Sequence, residues 1–476
     1  MTASGLVDQW PAAIAQERHW AYQRRFPEAA GFNIPVATMI RGPLDVGALD
    51  EAIRRVAERH EALRATFRAG PRRLYQVLRP AGELPIEVHD LRHLPRGERL
   101  ARLRDVGATE AARPFALSAE PVLRAHLVRL EHDEAVLVLN VHHISYDGWS
   151  SPVFFAELDD QYAAIVRKGT PQRPVPAHRY VDYASWQRRQ LAADAYADQL
   201  RYWQDLLRHP APPVDWPTDE VDGQAPWWAG DMVWLSFPQS LVQDAQRVAR
   251  ACGATLFVVL LATYQLALQR LLDTPRFAVG TPVAGRTAQR WEDVIGFFVN
   301  TIVMPYEHDA ALTFQDLVGR VQKLALAAQQ NQDLPYGVLL DRLEPPTPQG
   351  RTPFFQTLFL LQNYPSPQRR LDSREVQSRK LVTGSARYDI TFSLDRLGDE
   401  LTLELENRTG VVSQATAVAL AREFFAVLAA AVASPGTPVG DLVPVPVPVT
   451  VHRRPGAEAE LDDLFAGLVA DWRQPR

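Results

Sequence analysis

The chain has a single cysteine, Cys252, in 476 residues. That excludes an internal disulfide and any zinc site built mainly from cysteines, and it suits a reducing cytoplasm, where the protein is expected to reside. The N-terminus, MTASGLVDQWPAAIAQERHW, lacks a basic stretch followed by an apolar one, so it carries no secretion signal pattern. The longest apolar run, Ala254–Leu272, is interrupted by Thr, Gln, Tyr and Arg; it reads as a buried core helix and gives no reason to expect a membrane partner. Net charge is −5 with both signs interspersed, so no basic surface for nucleic acid is expected. There is no fixed-period repeat and no G-x-S-x-G nucleophile turn.

What is present fits a globular chain of two or three domains with large cores: 46% hydrophobic and 22% charged residues. The 37 prolines fall largely between elements. Asp45–His60 places Leu49, Ile53 and Val56 at helical spacing. Pro121–Leu130 and Ala135–His143 form a predicted hairpin around the turn EHDE, and Phe154–Val166 a predicted helix. The Pro-rich stretch Lys168–His178 separates two halves, each mixing helices and strands, which argues for an α/β or α+β fold. The expected division is an N-terminal lobe over 1–172, a C-terminal lobe over 173–445 and a tail over 446–476. Tyr180–Leu207 reads as mostly helical, and Arg276–Pro282, Thr301–Pro305, Phe354–Gln362 and Leu401–Glu406 as strands. Ser413–Val432 reads as a long helix stopped by Ser-Pro-Gly. In the tail, Leu442–Thr450 alternates Pro and Val and is expected to be extended. Leu461, Leu464, Phe465, Leu468 and Trp472 then fall on one face of a short helix; the segment packs back on the body, docks a partner or is disordered.

The most informative stretch is AVLVLNVHHISYDGWS, Ala135–Ser150. Successive strand side chains point to opposite faces, so of His142 and His143 one should face the core and the other a cleft. Adjacent histidines are therefore a poor chelate, and no metal site is expected there. Ser145 and Ser150 lack the context of a triad nucleophile. Two histidines capping a strand structurally is one reading. The other is functional: a neutral imidazole suits general-base work near pH 7, Asp147 could fix the loop by pairing with a cation, and Gly148 would let a substrate arm pass close to the backbone.

HHISYDG resembles the HHxxxDG signature of condensation domains of nonribosomal peptide synthetases. Further blocks resemble that family in order: AQERHW (Ala15–Trp20), RHEALRATF (Arg59–Phe67), YVDYASWQ (Tyr180–Gln187), VGTPVAGR (Val279–Arg286), IGFFVNTIVMP (Ile295–Pro305), NQDLPYGVLLDRL (Asn331–Leu343) and TPFFQTLFLLQN (Thr352–Asn363). His19, Asn331 and Gly337 depart from the residues usual in these blocks.

The resemblance implies two lobes, each similar to chloramphenicol acetyltransferase, set in a V as a pseudo-dimer, with the histidine motif in a tunnel between them. It implies an acyltransferase, in antibiotic-type natural-product biosynthesis, that moves an acyl or aminoacyl group from a carrier-protein thioester to an amine or alcohol, forming an amide or ester. The catalytic constellation would be His143, His142, Asp147 and Gly148, with His143 the active-site residue and His142 its support. Arg64 would pair with Asp147, and Asn363 would lie near the substrate. No cofactor is bound on this expectation; the phosphopantetheine arm of the carrier protein is the substrate tether, and the acceptor is a small molecule or a second carrier. A free-standing monomer is expected, with a domain excised from a larger synthetase as the competing explanation. Alternatives are an acyltransferase using coenzyme A thioesters, a non-catalytic platform that recruits carriers, and a carrier-protein epimerase.

Overall fold

The computed structural model describes residues 8–80, 84, 86–217, 221–345, 351–362, 370–372, 374–397 and 400–452. The tail segment Leu461–Trp472, expected as an amphipathic helix, and Asn363 lie outside the described residues.

The expected hairpin is present as Leu123–Arg129 and Glu134–His142, paired antiparallel with Leu123 opposite Val141. Every residue from Ala135 to His142 is buried. The reason is a central strand covered on both faces: Leu137, Leu139 and Val141 pack into one hydrophobic cluster, Val136 and Val138 into another. The first cluster includes Leu49, Ile53 and Val56 from the helix Val46–Arg59, which starts where Asp45 accepts a hydrogen bond from the Ala48 N–H at 2.9 Å. It also includes Phe154 and Leu158 from the helix Ser150–Val166. The second is covered by the helix Arg96–Ala112 through Leu103 and Ala111.

This sheet is six-stranded, in the order Arg370–Leu371, Arg374–Lys380, Asn33–Arg41, Glu134–His142, Leu123–Arg129, Ile86–Asp90. Its strand Arg374–Lys380 comes from the C-terminal half and pairs with Val36–Ile40, so the chain crosses back to complete the N-terminal sheet. A three-stranded sheet of Gln9–Pro11, Leu74–Leu78 and Ala65–Ala69 packs beside it.

The C-terminal half is built on a seven-stranded mixed sheet in the order Asn300–Glu307, Arg276–Val283, Thr357–Gln362, Ile390–Leu397, Glu400–Arg408, Gly230–Ser236, Val451–His452. One face carries Phe277, Phe359, Phe392, Leu403 and Leu405 into a core shared with the helices Leu256–Leu272 and Gln414–Ala433. Both helices are capped by hydroxyls, Thr255 to the Val258 N–H and Ser413 to the Thr416 N–H. Gln414–Ala433 is long and apolar enough to cross a membrane by composition, yet its apolar residues are mostly buried in this core, as are those of Leu256–Leu272. The opposite face of the sheet turns toward the cleft described next.

Candidate active site

The strand Glu134–His142 ends where its neighbour does, with Asn33 opposite His142. A single turn of 3-10 helix, His143–Ser145, follows. The two histidines part there. His142 is fully buried; its Nδ1 accepts from the Ile144 N–H at 3.1 Å, so its proton sits on Nε2, 3.4 Å from Gln23 Oε1. His143 is half-buried, anchored by its own N–H to the Phe32 carbonyl at 2.7 Å. Its Nδ1 lies 2.6 Å from the Tyr146 carbonyl, which can only accept, so Nδ1 carries the proton and Nε2 is left with its lone pair. The sequence expectation of one core-facing and one cleft-facing histidine is met.

His143 faces a cavity of about 2840 Å³ lined by both halves of the chain, including His19, Phe32 and Trp149 from one and Phe297, Arg387 and Thr301 from the other. Gly148 also lines it. The His143 ring packs edge-on against Phe297, with centroids 5.0 Å apart, and His19 packs against both Phe32 and Phe297. Burial, followed by the positive charge of Arg387, pulls the His143 pKa down to about 4, with Asp147 opposing. Burial, followed by the neighbouring His143, likewise holds His19 and His142 well below the ordinary histidine value. All three rings are neutral at physiological pH.

Asp147 does not pair with Arg64. Its carboxylate is fully buried and takes Arg286 Nη2 at 3.0 and 3.2 Å, the Ser150 N–H and hydroxyl at 2.8 and 2.7 Å, and the Phe298 N–H at 3.0 Å. Arg286 also donates to the Trp291 and Val294 carbonyls, and its guanidinium lies 3.9 Å from the Phe298 ring centroid. Arg64 is turned elsewhere: Nε donates to the Ala57 carbonyl at 3.1 Å and Nη1 to the Arg79 carbonyl. It ties the end of the helix Val46–Arg59 to the small sheet, a scaffold role away from the aspartate.

Three further residues brace the histidine turn and the segment packed against it. Gln16 is fully buried and donates to the Ile144 carbonyl at 2.9 Å and to Gln76 at 3.2 Å. Ser150 bridges Asp147 and the Gly296 carbonyl, and accepts from the Gly296 N–H. Tyr180 adds its hydroxyl to the Phe297 carbonyl at 2.6 Å. The blocks AQERHW, YVDYASWQ, VGTPVAGR and IGFFVNTIVMP thus meet around one loop. Gly337 has a packing reason: a Cβ there would stand 2.9 Å from Ile14 Cγ2, so its absence lets the helix Tyr336–Leu343 approach Ile14–Arg25.

The family model for condensation domains matches residues 7–446. The chain belongs to the condensation-domain family. It is 33% identical over 446 residues to a dimodular nonribosomal peptide synthase of Bacillus subtilis, a match covering 91% of this chain and 18% of that protein. It is 30% identical over 439 residues to chondramide synthase of Chondromyces crocatus, covering 92% of this chain and 11% of that protein. The chain therefore spans only a small part of the length of these curated relatives. Among solved structures it is similar to the X-domain from teicoplanin biosynthesis, at 25% identity and TM-score 0.81, covering 94% of this chain and 99% of that one. It is similar in fold to the first condensation domain of the calcium-dependent antibiotic synthetase, at 21% identity and TM-score 0.75, covering 92% and 99%. The mixed α/β lobes of this condensation domain are thus those expected of a fold similar to chloramphenicol acetyltransferase.

Proposed function

We propose that this condensation domain transfers an acyl or aminoacyl group from a carrier-protein thioester to an amine or alcohol, with the neutral His143 imidazole as the group that handles the proton. What carries the reading is one observation: the Nδ1–H of His143 is committed to the Tyr146 carbonyl, so the Nε2 lone pair is available at a cavity lined by both halves.

The chemistry follows from that arrangement. The acceptor's nitrogen or oxygen attacks the thioester carbonyl carbon, forming the new C–N or C–O bond. The C–S bond breaks, the acceptor's proton passes to His143 Nε2, and from there to the departing phosphopantetheine sulfur. A thioester is already activated, so holding both reactants in register does much of the work; effective molarity supplies about 7–11 kcal/mol in such cases. The cavity, at about 2840 Å³, exceeds the usual size of a small-molecule pocket and suits two tethered reactants. Arg387, with its guanidinium 5.3 Å from the Phe32 ring centroid, keeps a positive charge near His143 and so favours the unprotonated base.

Mass spectrometry of an acyl-loaded carrier protein incubated with the domain and a panel of amines and alcohols tests the proposal. Amide or ester product dependent on His143 supports it. Product formed equally well from acyl-coenzyme A would shift the donor assignment, and carrier binding without turnover would make the domain a recruiting platform.

A further inference from the structure

At the edge of the N-terminal sheet, and outside the lining of the cavity, three side chains converge that the condensation chemistry does not use. The edge strand Ile86–Asp90 runs parallel to Leu123–Arg129 with Glu87 opposite His126. Because strand side chains alternate, His89 falls on the same face as Glu87. His89 Nε2 lies 3.2 Å from His126 Nδ1. Glu87 brings one carboxylate oxygen to 3.5 Å from His126 Nδ1 and the other to 3.5 Å from His89 Nε2.

We propose that Glu87, His89 and His126 form a binding site for one divalent transition cation of the zinc class, with solvent in the fourth position. The spacing is that of a coordination face. Zinc bonds of about 2.0–2.2 Å to nitrogen and carboxylate oxygen, in tetrahedral geometry, separate the ligand atoms by about 3.3–3.5 Å. The two nitrogens stand 3.2 Å apart, each lies 3.5 Å from a different oxygen of the Glu87 carboxylate, and one ligand atom from each residue falls within 4.8 Å of the others, so a small rotation of the exposed carboxylate closes the face.

The surroundings fit as well. The other ring nitrogen of His126, Nε2, lies 3.0 Å from the Glu110 carboxylate, which fixes that proton on Nε2 and leaves Nδ1 as the donor atom; metal-ligating histidines are commonly oriented by such a carboxylate. Glu110 is itself held by Arg124 at 2.7 Å and Asn140 at 2.8 Å, and it is a buried residue in the last turn of the helix Arg96–Ala112. Glu87 is largely exposed, so the open position faces solvent. The bound ion would clip the edge strand to its neighbour.

The test uses the tag-free full chain, stripped with a chelator and dialysed. Zinc chloride is titrated calorimetrically, and cobalt(II) serves as the spectroscopic probe of geometry. One zinc per chain, a tetrahedral cobalt spectrum, and at least tenfold weaker binding in both Glu87→Gln and His89→Ala are expected, with acyl transfer unchanged because neither residue lines the cavity. Both substitutions are on accessible side chains; His126→Ala is avoided because His126 is largely buried and is one of the partners of the buried Glu110. No stoichiometric zinc uptake, or uptake undiminished in the two variants, would overturn the assignment.

Discussion

Asp147 and Arg286 stand 139 positions apart in sequence and share a salt bridge at 3.0 Å from which solvent is wholly excluded. The pair joins the histidine loop of one half to the Ile295–Phe298 segment of the other. Removing either partner leaves a buried charge unmatched, so Asp147→Ala or Arg286→Ala should destabilise by about 3–5 kcal/mol. Urea denaturation followed by circular dichroism measures this. A double-mutant cycle should show strong coupling between these two residues and additivity, within about 0.5 kcal/mol, between Asp147 and Arg64. Arg64→Ala alone should lose only about 1–3 kcal/mol, from the carbonyls of Ala57 and Arg79 left without their donor.

Gly285, next to Arg286, has φ +65°, and a Cβ there would come within 1.9 Å of the Phe298 carbonyl oxygen. Gly285→Ala should therefore destabilise by more than the ~1–3 kcal/mol that a strained left-handed residue alone costs. It should also displace Arg286 from Asp147. Thermal denaturation and limited proteolysis across Ile295–Asn300 would register both effects; a melting temperature equal to that of wild type would contradict the close approach.

The depressed histidines make stability depend on pH in a fixed direction. His19, His142 and His143 bind protons more weakly folded than unfolded, so between the unfolded value, 6.5, and the lower folded values the unfolded chain holds more protons. Stability then rises with pH through that window and is lost as the medium acidifies. Calorimetry from pH 7.5 down to 4.5 should show the melting temperature falling once pH drops below about 6.5. A flat or rising profile would contradict neutral buried rings. Over the same range the His143 base form persists down to about pH 4, so initial rates, taken before unfolding, should not lose a histidine-type limb near pH 6.5.

Much of this was legible in the sequence because it is local. The hairpin that delivers His142 and His143, the helix beginning at Asp45 and the capped helix after Ser413 follow from periodicity and capping. So does the opposite orientation of the two histidines. What local pattern could not carry is pairing across long separations. Arg286 was visible only as the last residue of VGTPVAGR, and no periodicity links it to Asp147; the resemblance offered Arg64 instead, whose guanidinium is satisfied by the carbonyls of Ala57 and Arg79. The return of Arg374–Lys380 to the N-terminal sheet is equally invisible, since an alternating strand does not state its partner. Ser150 reads as a serine without a nucleophile's context, and its role in bridging Asp147 and Gly296 depends on that same long-range contact.

The most direct measurement is acyl transfer from a loaded carrier protein to matched amine and alcohol acceptors, wild type against His143→Ala, in single turnover. An amine attacks with little help, whereas an alcohol depends on a base, and general-base assistance is typically worth about 10²–10⁴-fold. The variant should fold normally and lose about that factor in ester formation, with a smaller loss in amide formation. Equal losses on both acceptors would contradict a proton-handling imidazole, and undiminished turnover of both would remove His143 from the chemistry altogether.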